Sequence, residues 1–192
     1  GCRAVQKLAE EAFGKVDILV NCAGATQGGL FLEQDDAEWE DGFALKFHGA
    51  VRLSRLLWPM LKINRGSVVN IVGGFARTPD PDFMIGGAVN AALSNFSKAL
   101  AGLGLRDDVN VNVIHPGLTV TERLEGLLEG RAKLAGITLE EAREASIEKE
   151  GIRRLGKPED VASLVCFLCS SHARHIQGAA ISVDGGATAG VY

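Results

Sequence analysis

A single tyrosine, Tyr192, stands at the last position, so the interior of the chain offers no phenol as an acid or base. Basic residues are in short supply too. Lys and Arg number 20 against 24 Asp and Glu, the net charge is −4, and the positive side chains are scattered rather than clustered. That balance argues against nucleic acid as a partner. No apolar run approaches the roughly 18 residues of a membrane-spanning helix, and the amino terminus lacks a charged-then-apolar leader pattern. No membrane association is expected, and a cytoplasmic location follows as the default. Only four cysteines occur, Cys2, Cys22, Cys166 and Cys169, too few for a disulfide framework in 192 residues, so reduced thiols are expected.

What is present fits a folded chain. With 46% hydrophobic and 23% charged residues, disorder is excluded as the main state, and one core over residues 1 to 192 is the simplest organisation. The sequence enters helical periodicity at once, with Val5, Leu8, Ala9 and Ala12 on one stripe and no initiating methionine. A longer parent chain is therefore expected. Cys166, Cys169, His172 and His175 form a C-x-x-C-x-x-H-x-x-H series that invites a metal reading. On one helix, steps of three spread four side chains over about half the circumference, so they do not converge on an ion. No metal site is expected.

Strand and helix patterns alternate along the chain. A first helix is read over residues 3 to 13, ending at Gly14, and a short apolar strand over 16 to 20, ending before Gly24. A long helix follows over 36 to 62, with Phe43, Phe47, Ala50, Val51, Ser54 and Leu57 on one face. Then come a strand over 67 to 72, a helix over 86 to 102, a strand over 109 to 114 and a charged helical segment over 121 to 150. A helix from Pro158 to about Cys169 and a strand over 179 to 183 complete the pattern. The strands read as continuous apolar runs, which predicts an α/β fold with a parallel sheet covered on both faces.

Four motifs in this order carry a family resemblance. They are D-I-L-V-N-C-A-G at residues 17 to 24, N-V-I-H-P-G-L-T-V-T at 112 to 121, R-L-G-K-P-E-D-V-A at 154 to 162, and Q-G through V-D-G-G at 177 to 186. Together they resemble the C-terminal three-quarters of a classical short-chain dehydrogenase/reductase (SDR). The resemblance implies a Rossmann-like doubly wound sheet lacking its N-terminal strands, NAD or NADP as cofactor, a carbonyl or alcohol substrate, and a homodimer or homotetramer. It also places Asn21, Ala23 and Gly24 in the turn under the adenosine half of the dinucleotide, with Cys22 in place of the family's second Asn. The same turn could instead serve only to stabilise the sheet. Pro116 and Gly117 would border the nicotinamide, where Thr119 and Thr121 could donate to it, or Thr121 could merely cap the next helix.

Two parts of the family pattern are missing. No glycine-rich T-G-x-x-x-G-x-G turn for the pyrophosphate occurs, so the choice between NAD and NADP is unreadable. The family's Asn, Ser, Tyr and Lys fall, by the resemblance, on Lys46, Gly73, Gly86 and Asn90, and with Tyr192 alone no register restores a Y-x-x-x-K pair. Lys46, Asp82 and His115 are the candidates for a substitute acid or base, with Asp80 beside them. Each has a plainer reading, as a solvated or interfacial charge, a turn former and a satisfied strand-end residue respectively. Asn90 could still accept from a ribose hydroxyl. Two functions stay open: an NAD(P)-dependent oxidoreductase with a divergent site, or an inactive homologue serving as a dinucleotide-binding, structural or regulatory subunit. Lacking its first strands, the sheet would present the 17 to 20 strand as an apolar edge.

Overall fold

A computed structural model describes residues 1–24 and 26–190; Tyr192 lies outside the described residues. Four parallel strands form one sheet in the order β1 (Ile18–Asn21), β2 (Ser67–Ile71), β3 (Asn110–Pro116) and β4 (Ala180–Val183). Register aligns Asn21 with Asn70, Ile71 with Ile114, and Pro116 with Val183, so the carboxyl ends of the strands form a common rim.

Side-chain alternation decides which helices cover which face. Leu19, Val68 and Val111 point to the side covered by α3 (Ala50–Ile63) and α4 (Met84–Asp107), where Leu57, Leu61 and Ala101 complete the core. On the other face, Val69 and Ile114 pack under α7 (Pro158–Leu168) and Ala173. There β1 is uncovered, with Ile18 and Val20 at 48% and 39% exposed. Preceding β1 is α1 (Cys2–Phe13), and α5 (Glu122–Ala135) and α6 (Leu139–Glu150) follow β3. Among the described residues no helix is long and apolar enough to cross a membrane, and no three His, Cys, Asp or Glu side chains gather as metal ligands.

Three elements differ from their sequence expectation. The 121 to 150 segment is two helices: α5 ends on Gly136 at φ 67°, and Thr138 with Glu141 forms a capping box for α6. The helix expected over 86 to 102 runs from Met84 to Asp107, passing Gly102 and ending on left-handed Asp108. Between α2 (Asp36–Phe43) and α3 the helix continues, but residues Ala44–Gly49 take the wider π conformation. Lys46 sits on this segment.

A buried polar chain ties β1, β2 and α4. Asn21 Nδ2 donates to Asn70 Oδ1 at 2.7 Å, Asn70 Nδ2 to Ser97 Oγ at 2.7 Å, and Ser97 Oγ to the Leu93 carbonyl at 2.6 Å. Asn70→Ala would leave the buried Asn21 amide with only its 3.5 Å contact to Ser54 Oγ and take away the donor to Ser97 Oγ, which costs about 1–3 kcal/mol. Urea denaturation should show that loss, and an unchanged midpoint would contradict it. At the surface, Arg154 grips Asp160 with bonds of 2.7 and 2.9 Å. That pairing, helped by the Lys157 N–H, holds the Asp160 carboxyl down at about 2. The folded state therefore binds fewer protons than the unfolded one, and the contribution is whole above about pH 4 and vanishes as pH falls through 2. Melting temperatures of wild type and Asp160→Asn should differ at pH 6 and converge toward pH 2; a constant gap would refute this.

Candidate active site

The carboxyl end of β2 organises the site. Beyond Ile71 the Val72 N–H is held by the Ile114 carbonyl at 2.9 Å, so the chain stays in line with the sheet. The next two carbonyls face side chains. That of Val72 accepts a short hydrogen bond from Lys46 Nζ, and that of Gly73 accepts from His115 Nδ1 at 2.8 Å. Since a carbonyl can only accept, His115 carries its proton on Nδ1. Burial, first of all, depresses the His115 pKa, with the charges of Arg77 and Lys46 adding to it, so the ring is neutral near pH 7.

Gly73 lies at φ 141° and ψ 151°, which a side chain rarely tolerates. A Cβ there would also stand 2.9 Å from Asn90 Nδ2. Asn90 projects from α4, 4% exposed, and its Oδ1 has no hydrogen-bond partner among the described residues. Lys46, Gly73, Asn90 and His115 are thus gathered at one place on the rim. One turn before Asn90, the space beside Gly86 belongs to Phe83: a Cβ on Gly86 would lie 1.9 Å from the Phe83 ring. That ring packs against Phe75 with centroids 5.0 Å apart.

Lys46 reaches the rim through its π segment. Residue spacing differs there from an α-helix, so the side chain is aimed differently than a uniform helix would aim it. Its stem runs along Gly24, where a Cβ would come within 2.7 Å of Lys46 Cβ. Burial, and after it the charge of Arg123, lower the Lys46 pKa to about 8, against a smaller opposing effect of Cys22. Arg123, the second residue of α5, crosses to the same turn and hydrogen-bonds the Thr26 carbonyl.

The remaining sequence candidates are placed more simply. Asn21 turns into the core toward Asn70, while Ala23 and Gly24 are exposed on the turn. Gly117 follows Pro116, and a Cβ on it would press on Asp184 Cα at 2.8 Å, so its smallness serves packing between β3 and β4. Thr119 donates to the Gly117 carbonyl at 3.1 Å, and Thr121 caps α5 by accepting from the Leu124 N–H at 3.4 Å. Asp80 accepts from the Asp82 N–H at 2.8 Å in a local turn, and among the described residues no hydrogen bond or ion pair joins either carboxylate to Lys46 or Asn90. Phe83 and Arg123 went unnoticed in the sequence. For Phe83, the Gly-Gly start of the helix was an available signal of close approach.

A family model described as enoyl-(acyl carrier protein) reductase matches residues 1–188. The uncharacterized oxidoreductase YvaG of Bacillus subtilis is 34% identical over 188 residues, 95% of this chain and 71% of that protein. The chain belongs to the short-chain dehydrogenase/reductase family. Among solved SDR structures, L-sorbose reductase from Gluconobacter frateurii, complexed with NADPH and L-sorbose, superposes with a TM-score of 0.94 at 31% identity over 99% of this chain and 73% of that one. An NADPH-bound short-chain oxidoreductase from Pseudomonas aeruginosa PAO1, described as containing an atypical catalytic center, matches with a TM-score of 0.88 at 27% identity, covering 99% and 72%.

In this SDR the contact of Phe83 with Gly86 makes a sharp prediction. Glycine to alanine within a helix is usually stabilising by about 1 kcal/mol. Here the new methyl must displace a ring already packed on Phe75. Gly86→Ala should destabilise the wild type and be neutral or stabilising in a Phe83→Ala background, with a coupling of at least about 1 kcal/mol in a denaturation double-mutant cycle. Additive effects would show that the ring moves freely.

Proposed function

We propose that this chain is an NAD(P)-dependent oxidoreductase interconverting a carbonyl and an alcohol, with Lys46 holding the proton that the family's tyrosine would otherwise hold. The observation that carries this reading is the Lys46 amine itself. It is the one group among the sequence candidates that combines a place on the rim beside Gly73 with an affinity for protons near pH 8. A base of that strength suits proton exchange with an alcohol near neutrality.

The residues around it fit a dinucleotide. Asn90 Oδ1 is a buried acceptor with no donor among the described residues, which matches a ribose hydroxyl, and exposed Ala23 and Gly24 allow close approach of a ligand to the backbone. A bound nicotinamide would supply or take up the hydride. Lys46 as an ammonium gives its proton to the developing alkoxide during reduction, and as an amine it takes the hydroxyl proton during oxidation. His115 cannot share this role, because its Nδ1–H is spent on Gly73 and its ring is 1% exposed. By analogy with the family, α2 to α3 and α4 would pair with those of a twofold mate in a homodimer or homotetramer in the cytoplasm. Leu45 and Leu105, 57% and 74% exposed, lie on these helices.

A second reading, a dinucleotide-binding subunit without turnover, has one observation in its favour: Phe83 fills the space beside Gly86. The pH profile separates the two. For an active enzyme, kcat/KM for reduction should hold level below about pH 8 and fall about tenfold per unit above it, while oxidation rises toward pH 8 and then levels. Lys46→Gln should remove that break and lower the rate by about 10²–10⁴-fold. Tight NADH or NADPH binding with no turnover in a carbonyl and alcohol screen would favour the second reading.

A further inference from the structure

Arg123 takes no part in the chemistry just described, yet its charge acts on Lys46. Two elements far apart in sequence bring the cations together: the π segment at Ala44–Gly49 and the first turn of α5. Both side chains lie on the short turn after β1, the Lys46 stem along Gly24 and the Arg123 guanidinium on the Thr26 carbonyl. Like charges placed side by side repel, and folding tolerates that where an anion is to be received.

Among the described residues no carboxylate offsets them. Among the described residues neither Lys46 nor Arg123 has an ion pair, and each hydrogen-bonds only a backbone carbonyl. The acids closest to Arg123 in sequence do not answer it. Glu125 is taken by Arg143 at 2.6 Å, and exposed Glu122 has no bond to it. A guanidinium carries five N–H donors in a planar fork, and one hydrogen bond to Thr26 leaves donors for a carboxylate.

We infer that Arg123 anchors an oxyanion of the substrate, and that the substrate is a carbonyl compound bearing a carboxylate next to the reacting carbon, such as a 2-oxo acid or its 2-hydroxy counterpart. This rests on the oxidoreductase reading above. The anchor places the neighbouring carbonyl oxygen toward the Lys46 ammonium. It also cancels the field of Arg123 on Lys46, so the amine binds its proton more firmly once substrate is in place. In reduction the carbonyl carbon gains the hydride, its oxygen gains the Lys46 proton, and the carboxylate is unchanged. The amine then recovers a proton from water.

The test compares 2-oxobutanoate with 2,3-pentanedione, in which an acetyl group replaces the carboxylate, using wild type, Arg123→Gln and Arg123→Lys with NADH and NADPH. The acid should be preferred in kcat/KM, and Arg123→Gln should lower the acid about tenfold or more beyond any loss for the dione, with Arg123→Lys between. The pH break should lie higher in kcat than in kcat/KM for the acid. Turnover of the dione with no preference for the acid overturns the inference and leaves the oxidoreductase reading standing. Equal losses for both substrates show that Arg123 only pins the turn, and overturn it as well. A loss confined to NADPH or NADH binding assigns the cation to a cofactor phosphate instead. Calorimetric binding of 2-oxobutanoate that Arg123→Gln weakens, with no turnover of either compound, keeps the anion site and sinks the oxidoreductase. Absence of both binding and turnover sinks both.

Discussion

The hydrogen bond from Lys46 to the Val72 carbonyl is the constraint around which the rim is arranged. It ties the long helix to the carboxyl end of β2 at the point where the strand stops pairing. Because the amine is drawn out of water to make it, the ammonium is less favoured than on an open surface. Neighbouring positions then follow from space. Gly24 leaves room for the stem, and Gly73 leaves room for Asn90.

Electrostatics give the same picture from another direction. His115, buried under the rim and committed to Gly73, stays neutral and adds no charge. Among the described residues Lys46 and Arg123 supply positive charge with no carboxylate partner, whereas Arg154 is paired with Asp160 and Arg143 with Glu125. Positive charge at the ends of parallel strands, where ligands of open α/β sheets bind, is placed where a negatively charged ligand gains most from it.

Much of the fold was legible from residue pattern. Apolar runs such as the one from Ser67 to Val72 gave the strands, and the stripe from Phe43 to Leu57 gave the long helix. Counting from the family motifs put Lys46, Gly73 and Asn90 on one site, and in space they are neighbours. Other features escaped because they are not periodic. Conversion of Ala44–Gly49 to a π turn depends on tertiary contact, not on propensity, and no residue there announces it. Gly136 and the Thr138–Glu141 box did announce a helix break, but the surrounding charged pattern masked it. Arg123 and Phe83 act across 97 residues of sequence and within three respectively. The first contact is invisible without the fold, and the second was signalled only by the Gly-Gly start of the helix, which does not name the ring that fills the space.

Asn21 illustrates a further limit. Its place in a family motif left both cofactor contact and sheet support open, and its side chain serves the buried chain through Asn70 and Ser97. The protonation of the Lys46 amine is the most direct measure of the account as a whole. After selective ¹³C labelling of the lysine side chains, the Cε shift of Lys46, assigned with Lys46→Arg, should titrate at about 8. A midpoint in the ordinary lysine range near 10.4 would show a solvated amine and contradict the proposed site.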